Sequence, residues 1–256
     1  MCIIIYKPKG IAMPDKERLS TAWEKNKDGG GFMYFSNSMV KGRKGFTCLK
    51  GMLASLSSLS PEEREGDIVM HFRIKTHGKI NAECCHPFPL TDSYDEMSKS
   101  KWLSGVGVAH NGMLGIIPET QDVSDTMCFI KHCIMKHQEV ISDKDVMFDM
   151  ARGSNKFAFM VADGQRVILV GDFIEDGGVK YSNYGYKKPV YLSSINGCTS
   201  YSQGGFGGNC YGGYATCYNC DHHSCSIQAE PCKSCYTHTN KPNFTIQKDS
   251  SMFSDL

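Results

Sequence analysis

The chain of 256 residues is 41% apolar and carries a formal charge of +1, from 28 lysines and arginines against 27 acids. Near-neutrality leaves no global field to attract nucleic acid or a membrane surface, and no apolar run approaches the roughly 18–20 residues of a membrane span. The length suits one domain of roughly 200 residues plus an appendage.

The opening Ile3-Ile4-Ile5-Tyr6 is too short for a signal-peptide core. It predicts a buried strand over 2–6 and, without a leader, a cytoplasmic protein. Residues 14–25 predict a helix, with Pro14 in its first turn, Leu19, Ala22 and Trp23 at helical spacing, and Gly29 to Gly31 as its end. Strands are expected over 32–35 and 67–72, and a short helix over 51–59. Another strand, 105–109, leads into His110-Asn111-Gly112, where Asn-Gly is ordinarily a hairpin signal. Ser124 reads as the N-cap of a helix to about Val140, with Met127, Ile130, Ile134 and Met135 on its apolar face. A second helix is expected over 142–151. A hairpin of 157–162 and 165–170 follows around Asp163-Gly164, and a last strand over 190–193. This order predicts an α+β fold with two sheets sandwiched between helices.

Cysteine usage divides the chain. Of 13 cysteines, six crowd between Cys210 and Cys235. In a reducing compartment such a cluster points to metal rather than disulfides. Residues 196–216 read as a Gly/Tyr/Ser-rich linker. Within 217–240, Cys217-x2-Cys220 and Cys232-x2-Cys235 predict a structural zinc site of four thiolates, with Cys210, His222, His223, Cys225 and His238 as spare ligands. Residues 241–256 read as a polar tail. Scarcely any basic side chain accompanies the knuckle, which argues against nucleic acid and for protein docking. Cys84 and Cys85, being adjacent, are expected to be ordinary small residues.

The chemistry-bearing positions lie earlier. Removal of Met1 would leave Cys2 with a thiol and a free α-amine, nucleophile and base in one residue. Downstream stand His71-Phe72-Arg73-Ile74-Lys75-Thr76-His77-Gly78, His86-Pro87-Phe88, His110-Asn111-Gly112 and Ser124-Asp125. An arginine fork can hold an α-carboxylate, and an aspartate can pair with an ammonium. An asparagine amide with the next backbone N–H can stabilise a tetrahedral oxyanion. Singly, each has a plainer reading: Arg73 as a surface ion-pair partner, Asp125 as a helix-start charge, Asn111-Gly112 as a turn. His71, His86 and His110 are expected to be hydrogen-bonded structural histidines.

In order and spacing these blocks resemble the glutaminase domain of class II glutamine amidotransferases, the N-terminal nucleophile type, over about residues 2–195. Lys156-Phe157-Ala158-Phe159 and Tyr181-Ser182-Asn183 belong to the same likeness. The resemblance implies a four-layer αββα sandwich (domain 1–195) and a glutaminase working through a Cys2 thioester. It implies that Asn111 and Gly112 form the oxyanion hole, that Arg73, with the backbone near Thr76 and His77, grips the glutamine carboxylate, and that Asp125 takes the glutamine amine. Ammonia would pass to an acceptor enzyme on a separate chain, as in short stand-alone amidotransferases. Two positions depart from the family pattern. Lys25-Asn26-Lys27-Asp28-Gly29-Gly30-Gly31 keeps only the aspartate and last glycine of R-G-x-D-x-x-G, and Cys84 stands where asparagine is common. Two other readings are a retained fold acting as a binding module, and a hydrolase of another γ-glutamyl amide.

Overall fold

A computed structural model of the chain describes residues 2–74, 81–150, 153 and 155–188. The chain divides into two units, Met1–Lys188 and Pro189–Leu256, and the second lies outside the described residues. So do the expected strand 190–193, the linker, the cysteine knuckle with Cys217, Cys220, Cys232 and Cys235, and, in the first unit, Thr76 and His77.

The described residues form a mixed α+β fold with antiparallel sheets. In chain order the elements are β1 (Ile3–Lys7), α1 (Lys16–Glu24), β2 (Gly30–Ser36), β3 (Met39–Phe46), α2 (Leu49–Ser57), α3 (Pro61–Glu65), β4 (Ile68–Phe72), β5 (Phe88–Pro89), α4 (Tyr94–Ser98), β6 (Lys101–Ser104), β7 (Val106–Asn111), α5 (Asp125–Phe129), α6 (Lys144–Met150), β8 (Lys156–Val161), β9 (Arg166–Val170), β10 (Ile174–Asp176) and β11 (Val179–Tyr181). One sheet runs β10-β11-β1-β4-β2-β3-β6 and the other β5-β7-β8-β9.

Strand periodicity sorts the core. Ile3, Ile5, Phe32, Tyr34, Met70 and Phe72 point to one side of the larger sheet and pack on Leu19, Ala22 and Trp23 of α1 and Met52 and Leu56 of α2. Their alternates Ile4, Met33, Val40 and Val69 join Ala109, Ala158 and Met160 of the smaller sheet. Val108, Phe157 and Phe159 face the other way and bury Met127, Ile130, Ile134 and Met147. Each such side chain is worth about 1.5–3 kcal/mol when fully buried.

Several boundaries differ from the sequence expectation. Asp15, not a residue before Pro14, caps α1, its carboxylate accepting from Arg18 N. The helix stops at Glu24, and Gly30-Gly31 already belong to β2. At Asn37-Ser38 both residues take positive φ, 51° and 58°, the primed two-residue turn that matches strand twist. The expected Asn111-Gly112 hairpin is absent: Asn111 ends β7, and the chain leaves into a long loop before α5. That helix passes into a π-helical turn over Ile130–Ile134, and a 3-10 segment over Gln138–Ser142 follows. The capping by Ser124 matches expectation, its hydroxyl accepting from Met127 N at 3.2 Å. Lys7 is buried, yet its ammonium donates to the carbonyls of Arg64, Glu65 and Gly66 at 2.7–2.9 Å, closing the open end of α3. No helix among the described residues is long and apolar enough to cross a membrane.

Candidate active site

Cys2 immediately precedes the central strand β1. Its carbonyl accepts from Asn183 Nδ2 at 2.7 Å, and its thiol donates to the Ile74 carbonyl at 3.4 Å. Burial pushes the Cys2 thiol up from its ordinary value, while the neighbouring Arg73 cation works in the opposite direction.

Ser182 fixes the surroundings. Its hydroxyl accepts from Ile4 N at 2.8 Å and from Asn111 Nδ2 at 2.9 Å. Its backbone N–H donates to Ile4 O at 2.9 Å, and its carbonyl accepts from Lys156 Nζ at 2.7 Å. One residue after β11 thereby ties β1 to β7 and β8, across both sheets. Neither this role nor that of Asn183 is legible locally, because serine and asparagine after a three-residue strand look like any turn.

A cavity of about 810 Å³ brings Cys2, Arg73, Gly112 and Asp125 together with Cys84, His86 and His110. Arg73 follows β4 and is only 9% exposed. Its backbone is clamped to the turn before β2, with Arg73 N donating to Gly29 O at 2.8 Å and Asp28 N donating to Arg73 O at 3.0 Å. Among the described residues its Nη1 has no hydrogen-bond partner. A buried cation with an unmet donor is costly, and Nη1 itself is covered rather than open to the cavity. Arg73 is therefore not the surface ion-pair residue of the plainer reading.

Asp125 opens α5. Its Oδ1 accepts from Thr126 N at 2.7 Å and its Oδ2 from Leu114 N at 3.2 Å. The second bond pins the start of the 113–124 loop to the helix. Asn111 is 3% exposed and does not line the cavity wall. One amide proton goes to Ser182, and among the described residues its Oδ1 has no partner. Gly112 does line the cavity, at φ 150°. A Cβ there would overlap the Asn155 side chain, so only glycine keeps the backbone in this place.

Three histidines cluster at the cavity, His86 and His110 on its wall and His71 outside the lining. His71 Nε2 donates to His110 O at 3.0 Å. His110 Nε2 donates to Asn155 Oδ1 at 2.9 Å, and its Nδ1 lies 3.0 Å from Thr126 Oγ1. These two are hydrogen-bonded as expected. His86 is not: among the described residues both its ring nitrogens lack partners, although it packs edge-on against His71 at 4.2 Å and Phe88 at 4.7 Å between ring centroids. Burial lowers all three, His71 to about 3 and His86 well below its ordinary value, with His110 lowered too. They are neutral at pH 7 and supply polar N–H or lone-pair groups rather than charge.

Cys84 and Cys85 are buried free thiols. Cys84 Sγ donates to Asp122 O at 3.3 Å, tying it to the far end of the loop. Lys44 runs beside them with its Nζ 4.2 Å over the Phe88 ring, and burial lowers it to about 7. Among the described residues, no group of three or more His, Cys, Asp and Glu is arranged to hold a metal ion. No family model and no curated protein matches the chain.

Proposed function

We propose that the protein is a glutamine amidohydrolase of the class II amidotransferase type. The observation that carries this reading is the convergence of Cys2, Arg73, Gly112 and Asp125, far apart in sequence, on one cavity. A nucleophile, a carboxylate-binding cation, a backbone donor without a side chain and an acid for an ammonium are the groups that a free α-amino acid with a side-chain amide requires.

In this mechanism Met1 is removed and the α-amine of Cys2 takes the thiol proton. The amine's ordinary pKa of about 7.7–8.0 suits that exchange near neutrality, and it offsets the burial that raises the thiol. The sulfur attacks the amide carbon of glutamine. The oxyanion takes a hydrogen bond from Gly112 N–H, and the buried Asn111 side chain, one proton of which is held by Ser182, would have to turn toward the cavity for its second amide proton to join. Collapse breaks the C–N bond, and ammonia leaves with the proton from the Cys2 ammonium. Water then cleaves the thioester to glutamate. Arg73 grips the carboxylate, with the backbone near Thr76 and His77, and Asp125 receives the amine.

The finer fold reading belongs here too. The three core clusters, helix on sheet, sheet on sheet and sheet on helix, support a four-layer αββα N-terminal nucleophile sandwich. An acceptor enzyme on a separate chain in the cytoplasm would use the ammonia, and Cys217, Cys220, Cys232 and Cys235 would hold a structural zinc.

Intact mass before and after a glutamine-mimicking diazoketone tests the reading. The expected result is loss of Met1 and a single adduct, abolished by Cys2→Ala together with glutamate release. A retained Met1 and no adduct would remove the enzyme reading and leave a binding module.

A further inference from the structure

The cavity is larger and more apolar than glutamine requires. Its volume of about 810 Å³ lies toward the upper end of the roughly 300–1,000 Å³ that bury drug-sized ligands, and a free amino acid is much smaller. Its charged and imidazole groups are Arg73, His86, His110 and Asp125, with Glu119 on the loop itself; among the described residues Arg73 Nη1 and both His86 nitrogens have no hydrogen-bond partner. Among the described residues the rest of the lining is largely apolar, with Thr120 and Gln121 interspersed. It includes Ile74, Leu114, Ile116, Ile117 and Val123.

The wall's position is also informative. The chain passes from Gly112 directly into Met113 and Leu114, so the apolar loop begins beside the backbone donor and therefore beside the amide to be cleaved. It is held as a wall at both ends, by Leu114 N on Asp125 and by Asp122 O on Cys84. At its rim Ile117 is 89% exposed and Met113 65% exposed, apolar surface that a ligand group would remove from water.

We infer that the site takes γ-glutamyl amides whose amine carries an apolar group, in preference to those with a small amine. The inference rests on the glutaminase reading of Cys2. The bonds made and broken are the same: sulfur adds to the γ-carbonyl, the C–N bond breaks, and the amine departs with the proton held by the Cys2 α-ammonium. Water then releases glutamate and restores the thiol. The leaving group is an alkyl- or arylamine lying along the 113–123 wall.

The test compares γ-glutamyl methylamide with γ-glutamyl n-butylamide on the full chain, with glutamine alongside. The two alkylamines differ little in basicity, so the ratio of kcat/KM reads contact with the wall. Each buried methylene is worth up to about fourfold, from about 0.8 kcal/mol at 1.36 kcal/mol per decade. The butylamide is therefore expected to exceed the methylamide by tenfold or more. The double variant Ile116→Ser, Ile117→Ser should bring the ratio close to one while methylamide turnover persists, which also shows that the variant is folded. Equal or inverted values in the wild-type chain overturn the inference, as does a preference that survives in the double variant. Turnover of glutamine without any preference overturns only this inference. No turnover of any substrate, with no diazoketone adduct, overturns the glutaminase reading as well.

Discussion

His71, His86 and His110 are 0%, 6% and 2% exposed, and all are held neutral by burial. Their cost appears in acid. Above an ordinary histidine value of 6.5 neither folded nor unfolded chain carries these protons. Below it the unfolded chain takes protons that the fold refuses, down to about 3 for His71. Stability is therefore complete above pH 6.5 and falls as pH drops from there, by up to about 1.4 kcal/mol per pH unit for each histidine. Urea midpoints measured from pH 7.5 to 4.5 should fall along that curve, and His71→Asn, if it folds, should flatten it. Arg73 carries a second cost of the same origin. Replacing it by Met removes a buried cation with an unmet donor, so the melting temperature is expected to rise while glutamine turnover is lost. A lower melting temperature in Arg73→Met would mean that the guanidinium is structurally satisfied. The residue types at these positions are legible in the sequence because carboxylate, guanidinium and amide chemistry is specific. What holds them is not, since Ser182 and Asn183 act through bonds spanning 178 and 181 residues.

At the scale of elements, the polar start of α5 was readable, whereas the short Ser-capped helices α3 and α4 were not expected from the sequence. Ser124 caps α5 as its sequence predicts, and the same chemistry at α3 forms a full capping box, Ser60 with Glu63. The two caps give a matched comparison. Each serine-to-alanine change is expected to cost about 1 kcal/mol. Only Ser124→Ala should raise KM for glutamine, because α5 begins with Asp125, which also anchors Leu114. Denaturant midpoints and steady-state kinetics of both variants separate the local loss from the positional one. The misreadings have physical causes as well. Asn-Gly signals a turn when its glycine only relieves strain, but at Gly112 the glycine accommodates Asn155. The helix expected from Ser124 to about Val140 widens into a π-helical turn at Ile130–Ile134, where helical apolar spacing alone gives no warning. Strands β10 and β11 have three residues each, too few for an alternating pattern to show.

At the scale of the molecule, the core clusters draw on elements from Ile3 to Tyr186, and the first unit ends at Lys188. A chain stopped after Lys188 is therefore expected to melt cooperatively, with a midpoint close to that of the full chain, and to retain diazoketone labelling of Cys2. Metal analysis of the full chain should give one zinc, absent from the shortened chain and lost from the full chain with Cys217→Ser and Cys232→Ser. A shortened chain that labels poorly would assign the second unit a part in the site. The α+β class was legible from alternating strand and helix patterns. The pairing order was not, because the smaller sheet recruits β5, two residues long, whose only local sign is the His-Pro-Phe motif.

The tie between Asn183 and Cys2 has a consequence in time. Ribosomes deliver the amino end first, and contacts between distant residues form late because a long loop must close. For most of its synthesis the start of β1 lacks its β11 neighbour, and the peptide bond after Met1 stands open to a processing peptidase. Docking of β11 brings Asn183 onto the Cys2 carbonyl, next to the bond that the proposed mechanism requires to be cleaved. If the proposed mechanism holds, maturation is a race in which cleavage has to precede closure. A nascent chain whose last strand docked too early would be stable, well packed and permanently capped.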